Sequence, residues 1–244
     1  FMQYEQVTKD KRIDLPKPSV DTGMGLERMT AVLQKVDSNY EIDVFKNLIS
    51  SIGKLLNYDD LSNPSLKVIA DHIRASSFLI VDGVTPGNEG RNYVLRRIIR
   101  RAIRHAHKLG ETKPFLHKIV KNLSLESENN STELANKIGT VQKKIFEEEE
   151  RFSQTLIKGM EILQTELKKS KHRILDGSLA FMLYDTYGFP IDLTADVCRE
   201  NTVNIDMNKF DEEMKKQRKR AKVSSKFSYS EDINTTGLIT KFTG

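Results

Sequence analysis

Two glycines and an arginine at residues 23–28 have the types and spacing expected of a phosphate-binding turn. Gly23 and Gly25 follow an extended, proline-containing run and precede apolar residues at helical spacing. Because glycine has no Cβ, a flat or anionic ligand could approach the backbone there, close to the free N–H groups of a helix start. Arg28 could then grip a phosphate or a carboxylate with its planar fork. A plain helix start with a solvated or salt-bridged arginine stays open as the alternative.

A second candidate site is an arginine-rich helix that follows a loop of three glycines and a proline at residues 82–90. From Arg91 to Lys108 there are seven Lys or Arg residues and no Asp or Glu. Since a solvated helix face normally mixes charges of both signs, this pattern favours an anionic partner such as a nucleic-acid backbone. Internal salt bridges, for example with the carboxylates of residues 147–150, remain the alternative. An arc of about 140° contains the arginines at helical periodicity: Arg96, Arg97, Arg100, Arg101 and Arg104.

Composition narrows the classes of protein that need to be considered. The 244 residues are 38% hydrophobic and 30% charged, and no run approaches the roughly 20 apolar residues of a membrane span, so no membrane association is expected. The single cysteine, Cys198, favours a reducing compartment, and we expect a cytoplasmic protein with a buried structural thiol. No Cys/His cluster has metal-ligand spacing, so no metal ligands are predicted. Because the chain opens on the strand-like Phe1 rather than on Met, we expect a piece of a longer polypeptide.

The elements that must position these residues are mostly helices. Residues 1–8 and 12–20 read as two antiparallel strands, and the pattern after residue 37 is helical. Helices are predicted over 42–56, from 65, over 91–110, over about 137–169, over 178–184 and from 210, with Asp192 or Thr194 capping another. The polar segment 122–135 is predicted to be a surface loop or an insertion. The fold class is therefore mainly α with a small antiparallel β element.

The glycine turn resembles a known motif. The pattern Pro18-x-x-x-x-Gly23-x-Gly25-Leu26-Glu27-Arg28 is similar to motif 3 of class II aminoacyl-tRNA synthetases, and LPKPSVDTGMGLER resembles its form in the alanyl-tRNA synthetase family. Four further runs resemble the same family in the same order, whereas 122–135 and the tail match poorly. These runs are FMQYEQ, SNYEIDVF, VIADHIRASSFLIVDGVTPGNEGRNYVLRRIIRRAIRH and LYDTYGFPIDLTADVC.

The resemblance implies a division of the chain into three parts. Residues 1–36 would be the C-terminal part of a class II catalytic domain, and 37–222 a helical tRNA-recognition domain. Residues 223–244 would be a linker toward an editing domain outside this chain, where a zinc site is expected. Motifs 1 and 2 would precede Phe1, so the chain by itself is expected to be inactive.

The resemblance also implies an ATP-dependent ligase that activates alanine and transfers it to the 3′ end of alanine tRNA. Arg28 would hold the γ-phosphate of ATP, which binds together with Mg²⁺. Gly23 and Gly25 would form the floor of the alanine and adenine sites. Asp21 would accept a hydrogen bond from the alanine ammonium, and Glu27 would orient Arg28.

For the tRNA, the resemblance implies that Asn88 and Asp185 read a G·U wobble pair in the acceptor stem from either side. On spacing alone, a capping or turn residue is the favoured interpretation of Asp185. Two other classes stay open: a non-catalytic RNA-binding helical module, and a helical interaction protein whose arginines meet its own carboxylates. The residues expected to follow the tRNA phosphates are Arg91, Arg96, Arg97, Arg100 and Arg101.

Overall fold

The chain folds into a β-hairpin followed by helices. The structure is a computed structural model that describes residues 2–19, 23–126, 132–169 and 173–226. The strands of the hairpin are β1 (Met2–Thr8) and β2 (Lys11–Ser19), and a parallel pair of two-residue strands is formed by β3 (Ile174–Leu175) and β4 (Asn204–Ile205). The helices are α1 (Leu26–Gln34), α2 (Asp43–Leu56), α3 (Pro64–Val81), α4 (Gly90–Lys108), α5 (Leu116–Glu126), α6 (Thr132–Lys169), α7 (Gly177–Asp185), α8 (Ile191–Glu200) and α9 (Met207–Lys226). The predicted fold class, mainly α with a small antiparallel sheet, is confirmed.

Contacts divide the chain into two compact units, residues 1–146 and 147–244, and α6 contributes residues to each. The division at residues 36 and 222 that the resemblance implied stays a prediction. Residues 223–226 are the last residues of α9, and the rest of the predicted linker lies outside the described residues.

The hairpin and α1 confirm the predicted passage from extended chain into helix. β1 and β2 pair antiparallel, with Tyr4 opposite Asp14 and Gln6 opposite Arg12. α1 begins directly after Gly25. The apolar residues that predicted this helix do not form a buried face. Val32 and Leu33 are 68% and 75% exposed.

Four helices form the core of the first unit. α3 packs against α4, α2 and α5, and α2 also packs against α5. The side chains that fill this core recur at helical spacing, as amphipathic helices require. The Asn63 side chain caps α3 by accepting a hydrogen bond from the Ser65 N–H at 2.9 Å, as its position before a proline predicts. Fully buried members of the core include Leu48, Ile52, Leu66, Ile69, Leu95, Ile99, Leu116, Ile119 and Leu123.

The surface loop predicted at 122–135 is wrong at 122–126 and 132–135, which are helical, and residues 127–131 lie outside the described residues. α5 continues to Glu126, and Leu123 is fully buried. α6 begins at Thr132, five residues before the predicted start. Serine and asparagine are common in loops, but Leu123 continues the buried stripe of α5, and that stripe extends the helix into the polar segment.

The second unit is built from the C-terminal part of α6 and from α7, α8 and α9. Asp176 caps α7 by accepting from the Ser178 N–H at 2.7 Å, and its other oxygen accepts from Lys209 Nζ at 2.7 Å. The hydrogen bond from Lys209 and then that from Ser178 lower the pKa of Asp176. The predicted cap of α8 is wrong, because the helix starts after Pro190 with no side-chain cap and Thr194 is buried in its first turns.

Cys198 lies on the buried side of α8. It is 1% exposed, and burial raises the pKa of its thiol to about 11. The thiol therefore stays protonated near neutral pH and packs as a small apolar group, as predicted.

Two glycines of α6 offer a matched test of packing. A Cβ at Gly159 would lie 2.4 Å from Cε2 of the fully buried Phe189, whereas a Cβ at Gly139 meets nothing within 4 Å. We expect Gly159→Ala to lower the free energy of unfolding by about 1–3 kcal/mol through overpacking. Gly139→Ala should raise it by about 0.5–1 kcal/mol, because alanine favours an exposed helix position. Urea unfolding followed by circular dichroism checks both, and equal effects of the two changes would contradict this packing.

Candidate functional sites

The glycine turn presents an open backbone and an exposed arginine. Gly25 is extended, with φ −60° and ψ 138°, and its carbonyl accepts from the N–H groups of Arg28 and Met29 at 3.0 and 3.1 Å. A Cβ at Gly23 meets nothing within 4 Å, and one at Gly25 meets Glu27 Oε2 at 3.7 Å, so the fold leaves room for a side chain at both glycines. Arg28 is exposed in the first turn of α1. Asp21, the predicted ammonium acceptor, lies outside the described residues.

Glu27 connects α1 to the helical core. Its Oε1 accepts a hydrogen bond from Arg74 Nη1 of α3 at 2.6 Å, and both side chains are about three-quarters buried, with exposed fractions of 29% and 25%. The Arg74 guanidinium also lies 5.3 Å from the ring centroid of Phe78. Glu27 therefore fixes the first turn of α1, from which Arg28 projects. That Glu27 orients Arg28 in the substrate site stays a prediction.

Asn88 lies in the loop before α4 and is held by that helix. Its Oδ1 accepts a hydrogen bond from Arg96 Nη1, two turns into α4. The loop closes on the helix start through the Gly87 N–H, which donates to the Asn92 carbonyl at 3.0 Å. The amide NH₂ of Asn88 makes no hydrogen bond among the described residues and can donate to a ligand, and Oδ1 keeps a second lone pair beside its contact with Arg96.

The arginines of α4 differ in accessibility along the helix. Arg91 is exposed, and Arg96, Arg97 and Arg101 are half-buried. Arg100 is only 8% exposed and Arg104 only 4%. A projection down the helix axis places all of these arginines except Arg91 on one face. The projection does not show position along the axis, and in the C-terminal half of α4 most residues are buried, including Arg100 and Arg104.

The four glutamates at residues 147–150 also differ in burial. Glu147 and Glu150 are exposed, whereas Glu148 and Glu149 are 1% exposed. This run is therefore not a wholly solvated face, although a cluster of carboxylates usually is. Buried carboxylates require compensating partners, and both of these take part in interactions within the structure.

Asp185 is the last residue of α7 and is exposed. Its Oδ1 accepts a hydrogen bond from Gln217 Nε2 of α9. It does not cap α8, whose N-cap is Pro190, so the capping alternative is wrong, but it directly precedes the turn at Thr186 and Tyr187, so the turn alternative stands. A carboxylate at a helix C-terminus is mildly unfavourable because the helix dipole is negative there. Helix stability therefore gives no reason for an acidic residue at this position.

Sequence reasoning missed two residues that support these side chains. Arg74 contacts Glu27 across 47 positions of sequence, and Gln217 contacts Asp185 across 32. Neither residue belongs to a motif, and helical periodicity does not report which residues of distant helices meet. These two contacts could be found only from the packed structure.

Within the described ranges, the structure holds no group of three or more His, Cys, Asp and Glu side chains that could bind a metal ion. A zinc site in a region outside this chain stays a prediction. No helix among the described residues has the length and apolar character that a membrane crossing requires.

Comparison with known proteins finds one family along the whole chain. A family model described as tRNA synthetases class II (A) matches residues 1–241. The chain is 54% identical over 245 aligned residues to an alanine–tRNA ligase of Bordetella avium, and 53% identical to those of Burkholderia multivorans and Nitrosospira multiformis. Each alignment covers 100% of this chain and 28% of the relative. The chain therefore spans little more than a quarter of the length of these curated relatives.

Proposed function

The chain belongs to the class II (A) tRNA synthetase family, and from this premise we propose that it serves an alanine–tRNA ligase as the part that supplies motif 3 and reads the acceptor stem. The observation that carries the proposal is the similarity of the whole chain to alanine–tRNA ligases at 53–54% identity. The exposed Arg28 and the open backbone at Gly25 support it.

In the proposed reaction, a carboxylate oxygen of alanine attacks the α-phosphate of ATP, which gives alanyl-adenylate and releases pyrophosphate. The terminal ribose hydroxyl of the tRNA then attacks the alanyl carbonyl and displaces AMP. Both steps depend on positioning and on neutralising phosphate charge. Arg28 would hold the γ-phosphate, since its guanidinium stays charged and forms paired hydrogen bonds.

The glycines would complete the substrate site. Gly23 and Gly25 would form the floor of the alanine and adenine sites, because the space that a Cβ would take at each glycine is open in the structure. Asp21 would accept from the alanine ammonium. Mg²⁺ would enter with ATP as part of the substrate, and no cluster of acidic ligands for it lies within the described residues.

Two side chains would read the wobble pair. An RNA helix exposes base edges in its shallow minor groove, and a wobble pair leaves the guanine amino group without a pairing partner. Asp185, an exposed acceptor, suits that amino group, whereas Asn88 would donate to an acceptor on the base edges. Arg96 would act through Asn88 by holding its Oδ1.

The remaining arginines of α4 would contact phosphates. Arg91 and Arg97 are the accessible members, and the Arg97 guanidinium lies 5.9 Å from the ring centroid of Tyr93. A phosphate contact by Arg101 or by the buried Arg100 requires a close approach of RNA to the middle of the helix. We therefore expect Arg91 and Arg97 to contribute more of the salt-dependent binding than Arg100.

Aminoacylation by the complete natural polypeptide tests the proposal. We expect charging of alanine tRNA that depends on ATP, and a strong preference for an acceptor stem with a G·U pair over the same stem with G·C. Binding of the stem should weaken steeply between 50 and 200 mM salt, as phosphate contacts require. Salt-dependent RNA binding without any amino-acid-dependent pyrophosphate exchange would instead support a non-catalytic RNA-binding module. Absence of RNA binding would support a helical interaction protein.

A further inference from the structure

Packing between α7 and α9 brings Gln217 to Asp185. The two helices meet closely at their N-terminal ends, where a Cβ at Gly177 would lie 2.2 Å from the Asp206 carbonyl oxygen. Further along, the rings of Tyr184 and Phe210 pack with centroids 6.1 Å apart. The hydrogen bond from Gln217 Nε2 to Asp185 Oδ1 lies at the C-terminal end of α7. α9 therefore follows α7 along its length and supplies a donor where α7 ends.

The chemistry of this contact leaves one oxygen of Asp185 for a ligand. An ionised carboxylate only accepts, so Gln217 must present its NH₂ group rather than its carbonyl. Oδ1 is then engaged, and Oδ2 makes no hydrogen bond among the residues that the structure describes. An exposed Asp at a helix end otherwise samples several rotamers, and binding would have to restrict them. A donor from a second helix restricts them before the ligand arrives.

We propose that Gln217 is a positioning residue for RNA recognition. By holding Oδ1, it presents Oδ2 of Asp185 to the free amino group of guanine in the G·U pair. The inference rests on the proposed function of Asp185, and it adds α9 to the elements that determine which base pair is accepted. A hydrogen bond that only ties α9 to α7 would stabilise the unit but would not change the preference between base pairs.

The test measures kcat/KM for aminoacylation of G·U and G·C tRNA by the complete natural polypeptide and its Gln217→Leu variant. Leucine has a similar volume and cannot donate. We expect the G·U preference to fall about fivefold to tenfold. This is less than the factor of more than about ten for losing a whole hydrogen bond to a charged group, because Gln217→Leu loosens Asp185 without removing its carboxylate. Gln217→Lys, which restores a donor, should recover most of the preference, because its added charge acts on both tRNAs alike. Asn208→Leu, nine residues earlier on α9 and about 13 Å away along the axis, should leave it unchanged.

Three outcomes overturn the inference, and they are distinguishable. If the unmodified protein shows no G·U preference, the proposed function fails and this inference fails with it. If Asp185→Asn abolishes the preference while Gln217→Leu keeps it within twofold, the proposed function stands and the role of Gln217 is refuted. If Gln217→Leu lowers the thermal midpoint and weakens both tRNAs equally, the hydrogen bond is structural only.

Discussion

Replacing Arg28 by alanine in the complete natural polypeptide should lower alanine-dependent ATP–pyrophosphate exchange by about 100- to 1000-fold, the range for removing one group that stabilises charge in a transition state. The side chain is exposed in the first turn of α1, so the free energy of unfolding should change by less than about 0.5 kcal/mol. A large loss of activity without a loss of stability is expected of a residue that contacts substrate.

Two variants control this prediction. Arg28→Lys keeps the charge but loses the planar fork, so it should recover only part of the exchange rate. Arg12→Ala removes an exposed arginine of β2 and should leave exchange unchanged. Exchange within threefold of the unmodified rate in Arg28→Ala would exclude a phosphate contact by this residue.

The second large effect is expected at Asp185. Asp185→Asn keeps the shape of the side chain but can turn an NH₂ group toward the guanine amino group. The preference for a G·U over a G·C acceptor stem should fall by about 10- to 100-fold, the range for one base-edge contact. Competitive binding of the two stem hairpins at fixed salt measures it. Stability should be unchanged or slightly higher, because a negative charge leaves the C-terminus of α7.

Salt dependence and a charge-matched control separate base reading from general electrostatics. The slope of affinity against salt should be the same for Asp185→Asn and the unmodified protein, because no phosphate contact is lost. Asp211→Asn removes an equal charge from the exposed surface of α9 and should leave the preference intact. Equal loss of affinity for both stems in Asp185→Asn would contradict a role in reading the pair.

Local patterns predicted most of the elements correctly. Helical spacing identified α2, α3 and α4 within a few residues of their ends, because the residues that define a helix are neighbours in sequence. Turn chemistry worked for the same reason, as the cap at Asn63 illustrates. The main error was the loop predicted at 122–135, where the packing of Leu123 overrides the propensity of a polar segment.

Burial was harder to predict than helix formation. Periodicity placed Leu33 on an apolar face, yet it is 75% exposed among the described residues, whereas Arg100 on the predicted charged face is 8% exposed. Both cases have the same cause. A helical projection reports which side chains share a face, but burial depends on what packs against each turn of that face.

The amino-acid sequence alone therefore determined the order and type of most helices and of the β-hairpin, and it placed Arg28 at the start of α1, Asn88 before α4 and Asp185 at the end of α7. Each of these depends on residues that are close in the chain. The tertiary structure alone decided that Glu27 pairs with Arg74 and that Gln217 holds Asp185. Such pairs form where helices distant in sequence come together, and the packing of their apolar faces, rather than any local pattern, sets which polar side chains meet.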